Sequence, residues 1–196
     1  MLIFYNINYI ILFLDNNMKR LFFDMDNVLV DFESGLNKID KATKKQYEGH
    51  LDAIPGLFAL MDPLPGAIEA VKRLSEVYDV FILSTAPWNN PSAWSDKLLW
   101  VKRYFGDIFY KRIILTHRKD LCMGDYLIDD RSKNGASEFC GEWIQFGSER
   151  FPDWDSIVSY LIKKDKVSSI TEKTAENLDI SPKSLIFASE LKNSMV

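Results

Sequence analysis

Two aspartates spaced two residues apart, Asp24 and Asp26, follow the apolar run Leu21-Phe22-Phe23 and precede a second one, Val28-Leu29-Val30. A stretch of this composition, residues 21–30, reads as a buried strand. Side chains alternate along a strand, so the two carboxylates project to one side where it ends. Two carboxylates converging beside a core are costly unless a cation or a proton separates their charges. The pair therefore points to a Mg²⁺-dependent site. A calcium loop is a poor alternative, because Val28 stands where an oxygen ligand is needed and the sixth place is not glycine.

Three further polar groups fall at the ends of apolar runs. Thr85, with its neighbour Ser84, closes Val80–Leu83; Lys119 comes just past Ile113–Leu115; Asp129 and Asp130 close Tyr126–Ile128. In open α/β sheets, ligands bind beyond the carboxyl ends of the strands. A nucleophile, a hydroxyl donor, a cation and an acid pair for a metal are the parts that phosphoryl transfer needs. Any one of them alone is common as a cap, a turn or a solvated loop. Their order along the chain, each at a strand end, is what makes them a set.

The elements that must position this set alternate between strand and helix. Pro63 and Pro65-Gly66 open a helix with Ala70, Val71, Leu74, Val77 and Tyr78 at helical spacing. Asn90-Pro91 reads as an N-cap followed by proline at the first helical position, and the helix carries Trp94, Leu98, Val101 and Phe105 before stopping near Gly106. Arg112–Leu115, Tyr126–Ile128 and Trp143–Phe146 read as strands, and Asp153 starts a helix with Trp154, Ile157, Val158 and Leu161. Such alternation predicts an α/β fold with a parallel sheet flanked by helices on both faces. Residues 18–32 and 61–162 form its core. Residues 33–60 are mixed and partly helical, with a lysine-rich middle and a break at Pro55-Gly56.

The chain has 196 residues, enough for one ordinary domain with a small insertion. It is 47% hydrophobic and 13% aromatic, which is globular. With Lys+Arg 24 against Asp+Glu 28 it has no net basic field, so no nucleic-acid polymer is expected as a partner. Cys122 and Cys140 make no metal spacing, and two thiols in a chain of this size fit a reducing, cytoplasmic setting. Met1–Leu14 is apolar but too short to span a membrane, and it lacks the basic start and cleavage site of a signal peptide. Residues 1–17 read as an extension ahead of a natural start at Met18, with an extra strand or a surface helix as the alternative. Residues 163–196 turn polar and read as a tail, with a docked terminal helix as the alternative.

Read together, these motifs resemble the haloacid dehalogenase (HAD) superfamily of phosphotransferases. Asp24-Met25-Asp26-Asn27-Val28 matches its first motif, Ser84-Thr85 the second, Lys119 the third and Asp129-Asp130 the fourth. The longer strings DMDNVLVDF, STAPW, ILTHRKD and YLIDDR are similar to the 5′(3′)-deoxyribonucleotidase family, bacterial members included. The resemblance covers roughly Arg20 to Leu161.

It implies a Rossmann-like HAD core with a small, mainly helical cap inserted after the first motif. It also implies a Mg²⁺-dependent phosphomonoesterase for deoxyribonucleoside 5′(3′)-monophosphates, working as a monomer or homodimer without a membrane partner. Asp24 would be the nucleophile and Asp26 the general acid and base. Asp24, the backbone carbonyl of Asp26, and one of Asp129 or Asp130 would hold Mg²⁺, with Asp130 slightly favoured. Thr85 would hydrogen-bond the phosphoryl group, Lys119 would neutralise its charge, and the backbone N–H of Asn27 would help cradle it. Phe32 matches an aromatic that stacks on the base, and Trp88 is a second candidate wall. Two positions depart from the mammalian relatives: Ala86 replaces a serine and His117 an arginine, near the phosphate and sugar side. Arg131 or Arg118 would then supply the cation. The alternatives are an HAD phosphatase for another small phosphate, such as a sugar phosphate, and a non-catalytic regulatory protein on the same scaffold.

Overall fold

A computed structural model describes residues 18–177. The expectations for residues 1–17, and for the tail beyond Asn177, lie outside the described residues. The described residues fall into two units, divided between Asp155 and Ser156.

The first unit is built on a five-stranded, all-parallel sheet in the order β5-β4-β1-β6-β7. Its strands are β1 (Arg20–Phe23), β4 (Asp79–Ser84), β5 (Ile113–Leu115), β6 (Tyr126–Asp129) and β7 (Glu142–Gln145). A separate antiparallel pair joins β2 (Val30–Asp31) to β3 (Asp62–Pro63). Leu21, Phe22 and Phe23 are all buried, because both faces of the central strand are covered. Phe22 packs with Leu83, Leu127, Ala136 and Phe139 on one face. Phe23 meets Phe109 and Trp154 on the other.

The first strand is shorter than the apolar pattern predicts. It stops at Phe23, and the chain then winds into a tight turn in which the Met25 carbonyl accepts from the N–H groups of Val28, Leu29 and Val30. Val28 and Leu29 are buried in that turn and Val30 opens the separate strand β2, so a continuous apolar run could not reveal the break. Asp24 and Asp26 therefore stand in the loop beyond the sheet edge, held by Asp24 N–H to Ile128 O at 2.9 Å.

Helix α1 (Phe32–Leu36), helix α2 (Lys41–Gln46) and two short 3₁₀ turns, Leu51–Ala53 and Leu57–Ala59, make up the inserted segment. Asp31 and Asp40 cap the two helices with their carboxylates. Helix α3 (Ala67–Ser75) buries Ala70, Val71 and Leu74 as its spacing predicts, but ends before Val77, which is exposed. Helix α4 (Pro91–Phe105) starts at the predicted proline. Asn90 makes no side-chain cap there; it donates instead to the carbonyls of Asp52 (2.8 Å) and Ile54 (2.9 Å) and ties the helix start to the inserted segment. Ser92 Oγ receives Gly56 N–H at 2.8 Å, and Trp100 Nε1 donates to Met61 O at 2.8 Å, adding two more ties. Trp94 and Leu98, expected on the inward face of α4, are partly exposed; the buried positions are Ala93, Asp96, Lys97, Trp100, Val101 and Phe105.

The described part of the second unit belongs to helix α5 (Trp154–Asn177), which runs through the start of the segment read as a polar tail. No helix among the described residues is long and apolar enough to cross a membrane.

Candidate active site

The carboxyl ends of β1, β4, β5 and β6 bring the four predicted groups together. Lys119 sits in a 3₁₀ turn (Lys119–Leu121) after β5 and is buried. Its Nζ lies 3.0 Å from Asp24 Oδ1 and also pairs with Asp129 Oδ2. The turn is pinned by Lys119 N–H to Asn134 O at 2.8 Å. Asp24, Asp26, Thr85, Lys119 and Asp129 line one small recess, together with Arg131, Lys133 and Asn134.

The charges of the two first-motif aspartates are pushed apart. Burial alone would raise the pKa of Asp24, but Lys119 and Lys97 outweigh it and hold the carboxyl below the ordinary range. Asp26 goes the other way: burial raises it, Lys97 opposes, and the negative charge of Asp24 adds to burial. Burial likewise pushes Asp129 up to about 6, helped by Asp24 and opposed by Lys119. Lys119 keeps its proton more tightly than a free lysine, because Asp24 and Asp129 overcome its burial.

Asp24, Asp129 and Asp130 bring one oxygen each within 4.8 Å of one another, a donor set of hard oxygens that suits Mg²⁺. Asp130 Oδ1 is buried and accepts no hydrogen bond; the guanidinium Nε of Arg131 is 3.4 Å away. Asp129, by contrast, is engaged on both oxygens, by Lys119 and by Arg131 N–H at 3.0 Å. An orphaned carboxylate oxygen beside two other acids is what a resident cation would satisfy.

Beyond Asp26 opens a cleft of about 520 Å³. Phe32, Phe58 and Trp88 wall it, with Asn27, Thr85, His117, Arg131 and Asn134 around them. Phe32 and Phe58 meet edge to face at 6.0 Å, and Trp88 meets His117 in the same way at 6.0 Å. Ala86 is fully buried and does not line the cleft. Two predicted donors are engaged differently from expectation. The Asn27 N–H, read as a phosphate cradle, donates to Val30 O at 2.9 Å inside the turn. The Thr85 hydroxyl donates to Thr116 O at 2.7 Å. Asn27 itself adopts φ 56°, a left-handed conformation that asparagine tolerates.

Comparison with known proteins agrees with this geometry. Residues 36–153 match the family model described as 5′ nucleotidase, deoxy (Pyrimidine), cytosolic type C protein. A Vibrio phage KVP40 protein named "Putative 5′(3′)-deoxyribonucleotidase" is 56% identical over 146 residues, covering 74% of this chain and 86% of that one. The chain belongs to the 5′(3′)-deoxyribonucleotidase family. It is an enzyme of that family, a phosphoric monoester hydrolase. The human cytosolic 5′(3′)-deoxyribonucleotidase is 29% identical over 168 residues, 71% of this chain and 78% of its own. Among solved structures, a haloacid dehalogenase-like hydrolase from Xanthomonas campestris is 12% identical with a TM-score of 0.46, over 78% of this chain and 98% of that one.

Sequence reasoning missed several residues of the candidate site. Lys97 is buried against Asp26, Phe58 faces Phe32 from the inserted segment, and Lys133 and Asn134 close the recess from the loop after β6. A lysine at an inward helical position of α4 was the one signal available for Lys97. Nothing local marks the other three.

Proposed function

We propose that this enzyme is a Mg²⁺-dependent phosphomonoesterase that hydrolyses deoxyribonucleoside 5′(3′)-monophosphates through an aspartyl-phosphate on Asp24. The observation that carries the reading is that Asp26 opens onto a cleft walled by Phe32, Phe58 and Trp88. A planar base suits aromatic walls, and stacking tolerates different bases. The human relative's name, and that of the phage relative, support the same substrate class.

In this reading the Asp24 carboxylate attacks phosphorus and the bond to the sugar oxygen breaks. Asp26 delivers its proton to that oxygen, which leaves badly as an alkoxide. Asp26 then takes a proton from water, water oxygen bonds to phosphorus, and the bond to Asp24 breaks to release phosphate. The opposed shifts support this division: a carboxylate held ionised suits a nucleophile, and a carboxyl that keeps its proton longer suits an acid. Lys119 orients Asp24 and offsets charge beside it. Thr85 must exchange its bond to Thr116 O for one to a phosphoryl oxygen. Asp24, Asp130 and the backbone carbonyl of Asp26 would hold Mg²⁺, with the orphaned Asp130 oxygen favouring it over Asp129. When bound, the cation screens the repulsion between Asp24 and an anionic phosphate. The two free thiols are consistent with a reducing, cytoplasmic setting.

The test is a panel of deoxyribonucleoside 5′- and 3′-monophosphates against sugar phosphates, each with Mg²⁺ and with EDTA. dUMP and dTMP should exceed sugar phosphates in kcat/KM by about tenfold or more, in keeping with the worth of one stacked base, and EDTA should abolish turnover. Sugar phosphates cleaved as well as dUMP would defeat the nucleotidase reading.

A further inference from the structure

Lys97 is 1% exposed, in the second turn of α4. Its Nζ lies 2.9 Å from Asp26 Oδ1, 2.9 Å from Asp26 Oδ2 and 3.0 Å from Ser84 Oγ. The ammonium has three protons, so these bonds satisfy it completely. It also lies over the Phe58 ring at 5.0 Å from the centroid. Burying a lysine–carboxylate pair is expensive, and apolar side chains of similar volume in place of both Lys97 and Asp26 would stabilise the fold at least as well. The position is thus poorly explained by stability and well explained by what it holds. Lys119 serves Asp24 and Asp129, whereas Lys97 grips both oxygens of Asp26. Each carboxylate oxygen has two lone-pair directions. Lys97 takes one on each oxygen, and Asp26 lines both the recess and the cleft, where the others remain available.

We propose that Lys97 is the positioning residue of the general acid: it fixes the orientation of the Asp26 carboxyl so that an outward lone pair carries the proton to the leaving oxygen. The proposal rests on the reading of Asp26 as acid and base given above. It adds a residue that touches neither phosphate nor nucleotide. Through Phe58 it also links that orientation to the inserted segment that walls the cleft.

A positioning role of this kind has a signature that a structural role lacks. A sugar oxygen needs the proton in order to leave, whereas p-nitrophenolate leaves almost unaided. The ratio kcat/KM reads the steps up to breakage of that bond, before the phosphoenzyme is hydrolysed. The experiment measures kcat/KM for dUMP and for p-nitrophenyl phosphate in the wild type, Lys97→Met, Asp26→Asn and the double variant, with thermal melts of each. Loss of a general acid costs about 10²–10⁴-fold. Lys97→Met should therefore lower the dUMP value about 100-fold more than the aryl phosphate value, and Lys97→Arg should recover part of that loss. The double variant should be no slower on dUMP than Asp26→Asn alone, because Lys97 acts through Asp26.

Equal losses on both substrates, or a further loss on dUMP in the double variant, would overturn the proposal. If Lys97→Met fails to fold, the double variant, which leaves no buried carboxylate unpaired, still decides the matter against Asp26→Asn. Should Asp26→Asn show the leaving-group signature while Lys97→Met does not, only the role of Lys97 falls. Should Asp26→Asn itself keep dUMP turnover, the reading of Asp26 falls first.

Discussion

Lys119 Nζ stands 3.0 Å from Asp24 Oδ1 and pairs at the same time with Asp129, so one buried ammonium ties the loop after the first strand to the end of the fourth strand of the core sheet. Remove it and two buried carboxylates face each other without the cation they share. Breaking a buried pair from one side costs about 3–5 kcal/mol. Lys119→Met should therefore lower metal-free stability by about that amount in denaturant melts. Because the carboxylates are left to a cation alone, saturating Mg²⁺ should restore more stability to the variant than to the wild type.

The raised acids give metal-free stability a definite pH dependence. Asp129 is pushed up to about 6, and Asp26 and Asp130 are shifted the same way. A carboxyl whose folded pKa lies above its unfolded value binds its proton more tightly when folded. For Asp129 that contribution is full below the unfolded value near 4 and is lost as pH rises through about 6. The melting temperature in EDTA should accordingly fall between pH 4.5 and pH 7, with Asp129 contributing at most about 3 kcal/mol to the loss. Asp24, whose pKa is lowered, loses its contribution only further into acid and leaves this window untouched. Asp129→Asn should flatten the slope, and a slope unchanged in that variant would remove Asp129 as its source.

Gly135 controls the placement of Lys119 from a distance. Its φ is +82°, and a Cβ there would collide with the Asp120 carboxylate and stand 2.8 Å from Asp120 N. Asp120 belongs to the same 3₁₀ turn as Lys119, whose N–H is held by the adjacent Asn134 carbonyl. Gly135→Ala combines left-handed strain with a clash against backbone, so it should cost about 2–4 kcal/mol in a urea melt. It should also lower kcat by displacing Lys119. A variant within about 0.5 kcal/mol of wild type would show that the loop yields freely.

On the proposed function, Phe32 would serve base recognition apart from phosphate chemistry. It lines the cleft and meets Phe58, whereas the small recess around Asp24 is lined by other residues. Stacking one base is worth about 1–3 kcal/mol. Phe32→Ala should raise the KM for dUMP about tenfold, and leave a small sugar phosphate nearly unaffected. Equal effects on both substrates would assign Phe32 to packing.

The parallel sheet and the four acid, hydroxyl and lysine groups were legible because strand ends in an alternating α/β pattern have a fixed meaning. Asp24, Thr85, Lys119 and Asp129 lie at or just past such ends in the structure. What was not legible has local causes. The turn from Met25 to Val30 is as apolar as a strand, because it is buried on the Met25 carbonyl's three hydrogen bonds. The inward face of α4 was misread because two of its members, Asp96 and Lys97, are charged, and apolar spacing discards such positions. Asn90 looked like a cap, yet it serves a carbonyl pair 36 and 38 residues away. Long-range partners of this sort leave no trace in residue spacing.

The most direct test of the account is the rate of dUMP hydrolysis by Asp24→Asn, measured beside its thermal melt with and without Mg²⁺. Asparagine keeps the shape of the side chain and removes the proposed nucleophile and its charge. The expected result is a loss of kcat of about 10⁴-fold or more in a protein that still folds. Turnover within a few-fold of wild type would contradict it.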